Sequence, residues 1–342
     1  MANESDTINM SVENLPLRPR WAGLIIRMGV LPWLMLVAVV VFSLGSDSFL
    51  SERNAITMTR QASYLVLVAM AQFLVIITAG LDLSVGIVFS ICSVVAAKIM
   101  AALMPGMGDY VWVVIALGCL GALVAGIIVG AVNGIGVALL NVPPFMMTLA
   151  MSSVGFGIAL MMTGGTPVYG IPPEFSRSFG FGALLGVPSP VIVTMVVVVI
   201  VYLFLNYMPS GRYLFAIGSN NRASALSGIN VSYYTFLPYV LCSILAAISA
   251  LLMTARLETG EANLGTAMPL QSIAACVVGG VSLSGGKGRL RNVVLGAVFI
   301  TLVQNGMNLM RMDSYVQMVV IGMLLVLAIV FDNLRDRYEH KV

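Results

Sequence analysis

The chain has 342 residues, of which 59% are hydrophobic and 9% are charged, and its formal net charge is +3. A soluble domain carries about 25% charged residues, so this composition excludes a water-soluble protein and predicts an integral membrane protein. The long apolar runs show no polar alternation, which favours spanning helices over barrel strands.

The hydropathy pattern predicts an all-α membrane protein with about ten transmembrane helices, some of them broken or re-entrant. Roughly 18 apolar residues suffice to cross the hydrocarbon core. We expect a cytoplasmic N-terminal segment (1–28), a transmembrane domain (29–332) and a cytoplasmic tail (333–342). The predicted spans are 29–46, 62–79, 85–104, 111–131, 145–163, 189–207, 233–254, 269–283, 292–310 and 315–332.

Basic residues in the short connections predict the orientation, because cytoplasmic loops are enriched in Lys and Arg. Ten spans place four basic groups on one side, so both termini are expected in the cytoplasm. The four groups are Arg18, Arg20 and Arg27; Arg212 and Arg222; Lys287, Arg289 and Arg291; and Arg335, Arg337 and Lys341.

No pattern of catalytic or metal-binding residues stands out. The four cysteines lie in apolar segments without ligand spacing, and the single histidine, His340, is near the end of the chain. The stretch "GGVSLSGGKGRL" fails as a phosphate-binding P-loop, because Val281 and Gly288 stand where the motif needs Gly and Ser or Thr. We therefore expect no enzyme activity, no ATPase site, no metal and no bound cofactor.

Asp82, in "ITAGLDLSVG" (77–86), is the only acidic residue between Arg60 and Asp109. The glycines beside it allow a tight turn between two helices, and Asp82 or Ser84 would cap the second one. Alternatively, Asp82 lines a solute route, since ionisable groups inside membranes are functional candidates. Both roles are compatible.

A similar stretch recurs two hundred residues later, which raises the possibility of an internal repeat. Residues 80–86 align with 280–286 at four of seven positions, so Ser282 and Ser284 correspond to Asp82 and Ser84. Paired glycine-interrupted segments point to the binding region of a transporter.

Three further side chains are candidates for contact with a solute. Asn305 and Asn308 share one face of the ninth segment by their spacing, and their amides suit hydroxyl-rich solutes. They are equally explained as hydrogen bonds between helices. Phe145 could offer its ring to a sugar, or simply pack.

The 208–232 loop is amphiphilic and moderately basic, and it predicts a short helix on the cytoplasmic face. Asn220 is a possible N-cap and Gly228 a possible helix stop. This segment is an interfacial helix, a plain connector or a docking surface for a soluble partner.

Together these stretches resemble the membrane permease subunits of bacterial monosaccharide (ribose-type) ABC importers, over residues 55–332. One departure is Ala79, which stands where relatives usually have glycine. The resemblance rests on "TAGLDLSVG", "VPPFMMTLAM", "GRYLFAIGSNNRASALSGINV", "SIAACVVGGVSLSGGKG" and "QNGMNL", which occur in the family's order.

The resemblance implies a multi-pass protein of the bacterial inner (plasma) membrane that imports a monosaccharide or similar polyol. It implies a homodimer in the lipid bilayer, cytoplasmic ABC ATPase subunits that bind ATP and Mg, and a periplasmic sugar-binding protein, with no nucleic acid as partner. It also places a coupling helix in the 208–232 loop. The expected coupling residues are Arg212, Asn220, Asn221, Arg222, Ala225 and Gly228.

Two alternatives remain open. A secondary, ion-coupled transporter would need ion-coupling groups, yet Asp82 is nearly the only carboxylate in an apolar segment. A permease of the distantly related branched-chain amino acid group is the closer alternative, although "GLDLSVG" and "LSGG" favour sugars.

Overall fold

The computed structural model describes residues 31–339, so the predicted segment 1–28 lies outside the described residues. The described chain is almost entirely helical. Its helices are α1 (Leu31–Gly45), α2 (Glu52–Ile76), α3 (Val85–Met107), α4 (Val111–Ala138), α5 (Pro144–Thr163), α6 (Ser189–Tyr207), α7 (Pro209–Ser219), α8 (Asn221–Leu226), α9 (Val231–Leu257), α10 (Met268–Val278), α11 (Leu290–Leu309) and α12 (Ser314–Glu339).

Short elements complete the architecture. A 3-10 turn (Gly108–Tyr110) separates α3 from α4, and a helical turn (Pro173–Phe175) continues into a π-helical turn (Ser176–Gly180). Two-residue strands β1 (Ala183–Leu184) and β2 (Val187–Pro188) form an antiparallel hairpin, with Leu184 opposite Val187.

Six stretches of the described chain are long and apolar enough to cross a membrane. One of them, Val85–Ala138, contains both α3 and α4. These two helices pack against each other in an antiparallel hairpin. Cys92 of α3 donates to the Ala122 carbonyl of α4 (3.1 Å), and Met100 of α3 lies against Gly118 of α4. The prediction of an all-α membrane protein is confirmed.

The predicted boundaries were wrong at several spans. Helices α4 and α12 each run seven residues past their predicted ends at 131 and 332, to Ala138 and Glu339, so α12 takes in most of the predicted tail 333–342.

Two further errors, at the second and eighth spans, have a local cause. The second begins at Glu52 rather than residue 62, because Ser51 caps a polar first turn that hydropathy does not detect (Asn54 N–H to Ser51 Oγ, 3.3 Å). The segment 269–283 is helical only to Val278, because Gly280 then adopts a φ of 76°. At about 16 Å, α10 is too short to cross a bilayer alone.

The chain between α9 and α10 runs along α3 mostly as a series of turns. Gly260 pairs with Val168 in an antiparallel bridge, and Gly265 donates to the Ser90 hydroxyl of α3 (3.1 Å). Part of this backbone is satisfied within the protein, for example by the Met268 N–H bond to the Gly265 carbonyl (3.0 Å). The segment therefore enters the helix bundle and starts α10 inside it.

The core lies around α2, whose residues 65–71 are all buried. Helices α4 and α9 approach closely along the glycine ridge Gly126, Gly130 and Gly134; a Cβ at Gly130 would lie 2.7 Å from the Tyr239 carbonyl oxygen. Small residues at this spacing allow backbone contact between membrane helices. This packing brings polar side chains of α4 and α9 to the end of α2.

Candidate functional site

The first break in the helices, Ile77–Ser84, joins α2 to α3 and begins with a Schellman cap. The Gly80 N–H donates to the Val75 carbonyl (3.1 Å) and the Ala79 N–H to the Ile76 carbonyl (2.9 Å). This motif needs a left-handed residue at the position of Ala79, whose φ is 60°. The departure from glycine noted in the sequence therefore falls where the backbone favours glycine.

Asp82, in the middle of the first break, is fully buried in a hydrogen-bond network. Its Oδ1 accepts from the Ser84 amide (2.8 Å) and the Ser84 hydroxyl (2.6 Å), and Asn133 of α4 donates to that hydroxyl (2.6 Å). In the amide orientation that satisfies both of its groups, Gln72 of α2 donates to the Asp82 carbonyl (2.9 Å) and accepts from its N–H (3.2 Å). The network thus ties the break to α2 and α4.

The N-cap residue of α3 is Ser84, and its side chain makes no capping bond. Asp82 instead accepts from the Ser84 amide, so it fixes the N-cap residue rather than capping the helix in its place. The opposite side of the break is held by α5: Thr148 Oγ1 accepts from the Leu83 N–H (3.1 Å), and Ser152 donates to the Leu83 carbonyl (2.9 Å).

Several buried polar atoms around Asp82 have no hydrogen-bond partner among the described residues. Tyr239 and Cys242 of α9 interact electrostatically with Asp82, and the Tyr239 hydroxyl lies 2.7 Å from where a Gly80 Cβ would be. Buried polar groups are normally paired, so this cluster holds spare hydrogen-bonding capacity. The unpaired atoms are Asn133 Oδ1, Tyr239 OH and Ser243 Oγ.

A second group of unpaired atoms lies on α2 and α9 away from Asp82. Arg60 and Arg256 both lie over the Phe181 ring, with Cζ 5.7 and 6.0 Å from its centroid. Arg60 Nε and Arg256 Nη1 are buried without a hydrogen-bond partner among the described residues, whereas the Tyr64 hydroxyl hydrogen-bonds Arg256. The Phe181 ring face interacts favourably with both charges.

The second break, Gly279–Arg289, joins α10 to α11 and begins with the same cap. The Val281 N–H donates to the Cys276 carbonyl (3.0 Å) and the Gly280 N–H to the Val277 carbonyl (2.8 Å). Gly280 therefore corresponds to Ala79, not to Gly80. The cap places the two breaks in a register one residue away from the sequence alignment, which does not confirm the repeat.

The remaining pathway candidates lie apart from Asp82. Ser282 is buried and Ser284 exposed in the second break, and Phe145 is exposed at the start of α5. Asn305 exchanges two hydrogen bonds of 2.9 Å with Asn54 of α2, and Asn308 accepts from Gln317 of α12 (2.8 Å). Both asparagines thus bridge helices, and the structure gathers only Asp82 and Ser84 into one network.

The 208–232 loop forms two helices, α7 and α8, rather than the single short helix predicted. The predicted N-cap is confirmed, because Asn220 Oδ1 accepts from the Ala223 N–H (2.9 Å). The predicted stop at Gly228 is also confirmed, with a φ of 81°. The six expected coupling residues are all exposed: Arg212, Asn220, Asn221, Arg222, Ala225 and Gly228.

Sequence reasoning missed Asn133 and Tyr239 as members of the Asp82 network. The signal for Asn133 is present, since it is the only strongly polar residue between Asp109 and Asn141. No local pattern marks Tyr239, because its relation to Asp82 exists only through the close packing of α4 and α9.

The comparisons with known proteins agree with this architecture. Residues 54–329 match the family described as branched-chain amino acid transport system / permease component. The chain is 36% identical over 302 residues to the ribose import permease protein of Escherichia coli strain K12, covering 87% of this chain and 91% of that protein.

Two further relatives are similar over nearly their whole length. The D-allose transport system permease protein of Escherichia coli strain K12 is 33% identical, with 88% of this chain and 90% of the relative covered. The galactose/methyl galactoside import permease protein of Salmonella typhimurium strain LT2 is 32% identical, with 88% and 92% covered. No solved structure matches the chain significantly. The chain belongs to the family of branched-chain amino acid transport system permease components, and within it to the branch that contains the ribose, allose and galactose permeases.

Proposed function

We propose that this chain is the transmembrane permease subunit of an ATP-driven importer for a monosaccharide or similar polyol. The observation that carries the proposal is identity of 32–36% to three sugar permeases across almost the whole chain. ATP would be bound and hydrolysed, with Mg, on separate ABC subunits. A second permease copy, a periplasmic sugar-binding protein and surrounding lipid complete the assembly.

We infer a ten-span topology in the inner membrane with both termini in the cytoplasm. The ten apolar helices overlap the ten predicted segments, and α3 and α4 supply two crossings from one apolar stretch. The turns of segment 258–267 together with α10 would supply the eighth crossing, as in transporters with broken helices. Segments 1–28 and 333–342 would flank the transmembrane domain on the cytoplasmic side.

Asp82 and its neighbours are the best candidates for contact with the solute inside the bundle. The unpaired amide and hydroxyl oxygens of Asn133, Tyr239 and Ser243 offer the hydrogen bonds that sugar hydroxyls require. Because Asp82 is fully buried, contact requires α2, α4 and α9 to separate at the first break. The bonds from Asn133 to Ser84 and from Gln72 to the Asp82 backbone would hold the site closed between transport events. Ser282, Ser284, Phe145, Asn305 and Asn308 remain secondary candidates for the pathway.

The α7–α8 loop is the proposed contact with the ATPase subunits. Its six expected coupling residues are exposed, and the Asn220 cap and Gly228 stop give α8 defined ends. A rigid, exposed helix can transmit a push from a soluble domain, whereas a flexible loop would absorb it.

The test is purification of the tagged chain with whatever binds it, followed by uptake in vesicles with radiolabelled ribose, allose, galactose and leucine. ATPase subunits at equal stoichiometry, and uptake of a sugar that stops when their ATP site is disabled, support the proposal. Leucine uptake by the same complex would favour an amino acid permease, an alternative that the description of the matching family as a branched-chain amino acid permease component supports. Uptake by the chain alone with an ion gradient would replace the proposal with a secondary transporter.

A further inference from the structure

Three segments that are far apart in the sequence meet at one point. They are the start of the first break just after α2 (Ile77–Ala79), the end of α7 (Gly218–Ser219) and the middle of the second break (Gly285–Gly286). The Gly286 N–H donates to the Ile77 carbonyl (2.9 Å). That carbonyl follows α2 and has no partner within the helix, so the second break satisfies it. We call this contact the glycine junction.

The glycine junction has no room for a single methyl group. A Cβ at Gly218 would overlap the Ile77 carbonyl oxygen and lie 2.6 Å from the Gly286 amide nitrogen. A Cβ at Gly285 would lie 2.7 Å from the Ala79 nitrogen, and one at Gly286 would lie 2.8 Å from Ser219 Cα. Contacts this short do not occur for real Cβ atoms. The three segments therefore touch backbone to backbone.

The junction links the exposed loop to both breaks. Ser219 directly precedes Asn220, which caps α8, so a shift of α8 acts on Gly218 through two residues. Ile77 precedes Asp82 by five residues in the first break, and Gly286 lies just before α11. Close-packed contacts transmit displacement because nothing between them can compress. A movement of α7 and α8 must therefore either carry both breaks or separate the junction.

We propose that Gly218 and Gly286 are positioning residues that couple movement of the α7–α8 loop to opening of the first break at Asp82. This inference rests on the proposed function, because it assumes that a partner ATPase moves α7 and α8. The backbone bond between Gly286 and Ile77 is the element that carries the displacement to α2. Because Gly218 and Gly286 have no side chains, α7 can lie directly against the two groups that form this bond.

The test is the number of solute molecules transported per ATP hydrolysed by the complete complex in proteoliposomes. In Gly218→Ala the added methyl group pushes α7 away from Ile77, so we expect assembled complex that still hydrolyses ATP. Its transport per ATP should fall at least about fivefold, the lower end of measured coupling between sites. The control is Gly157→Ala on α5, where a Cβ meets nothing within 4 Å; its transport per ATP should equal that of the wild type.

A second variant covers the case in which Gly218→Ala does not assemble. Ser219→Cys places a thiol against Gly286, and a small methanethiosulfonate reagent adds bulk there after assembly. Modification should lower transport per ATP and reduction should restore it, with the unsubstituted chain treated in parallel. Unchanged transport per ATP in Gly218→Ala, or in the fully modified Ser219→Cys chain, overturns the inference while leaving the importer intact. A wild-type complex that hydrolyses ATP but moves no solute overturns both.

Discussion

The two breaks of this protein start with the same helix cap but are held in place by different interactions. The first break, Ile77–Ser84, is fixed by side chains from α2, α4 and α5 around the buried Asp82. The second break, Gly279–Arg289, is exposed at Ser284 and Arg289 and contacts the first through its backbone. The shared cap therefore determines how each helix ends. Whether the break forms a polar site depends on the side chains that the neighbouring helices supply.

The comparison also bears on the predicted repeat. Both stretches need a left-handed residue after a helix, a position that glycine fills most easily. The caps match Ala79 with Gly280, one residue away from the sequence alignment. The caps alone do not account for the four shared residues, and the internal repeat stays a prediction.

The largest difference between the breaks should appear on removing the Asp82 carboxylate. Asp82→Ala leaves the Ser84 hydroxyl and amide without their shared acceptor in a buried site, which should cost about 3 kcal/mol. Thermal or denaturant unfolding of the purified chain in mild detergent measures this loss. Asp82→Asn keeps an acceptor oxygen and should recover most of the stability.

Uptake separates the two roles of Asp82. If Asp82→Asn assembles and is stable yet transports nothing, the carboxylate itself acts on the solute route. Full uptake by Asp82→Asn would restrict Asp82 to holding the break.

The aligned serines should respond unequally. Ser84→Ala removes a hydroxyl that bonds Asp82 and Asn133, leaving the Asn133 amide unpaired, so we expect a loss of about 2 kcal/mol in the same unfolding assay. Ser284→Ala changes an exposed residue and should stay within about 0.5 kcal/mol of the wild type. Equal effects would show that the two breaks are held alike, contrary to the structure.

Hydropathy predicted where the helices lie because a continuous apolar run has few other solutions in a bilayer. It could not predict that α2 begins at Glu52, since a polar first turn depends on the Ser51 cap. It also could not see that α10 ends at Val278, because the following apolar residues lie beyond a left-handed glycine.

The candidate site was only half predictable. Asp82 and Ser84 stood out because they are polar within apolar sequence, and their local bond follows from two-residue spacing. Asn133 and Tyr239 join Asp82 through the packing of α4 against α9, which no single segment encodes. Asn305 shows the converse, since a polar residue in a span here bonds Asn54 on a neighbouring helix.

The cap of the second break can be tested with a single methyl group. Gly280 has a φ of 76°, is exposed, and would place a Cβ within 4 Å of nothing. Gly280→Ala therefore adds left-handed backbone strain, which the lower freedom of alanine in the unfolded chain offsets in part, so the unfolding free energy should fall by about 0.5 to 1 kcal/mol. Gly157→Ala, in the middle of α5 and equally free of neighbours, should not destabilise the chain.

The reverse substitution at the first break should have the smallest effect and the opposite sign. Ala79 is exposed and holds a φ of 60°, so Ala79→Gly removes strain of roughly 1 kcal/mol at the position equivalent to Gly280. Glycine also gains freedom in the unfolded chain, which offsets part of that gain. We therefore expect stabilisation of about 0.5 kcal/mol in the unfolding assay. A clear loss of stability in Ala79→Gly would mean that the methyl group packing against Gly285 matters more than backbone strain, and that the two caps are not energetically equivalent.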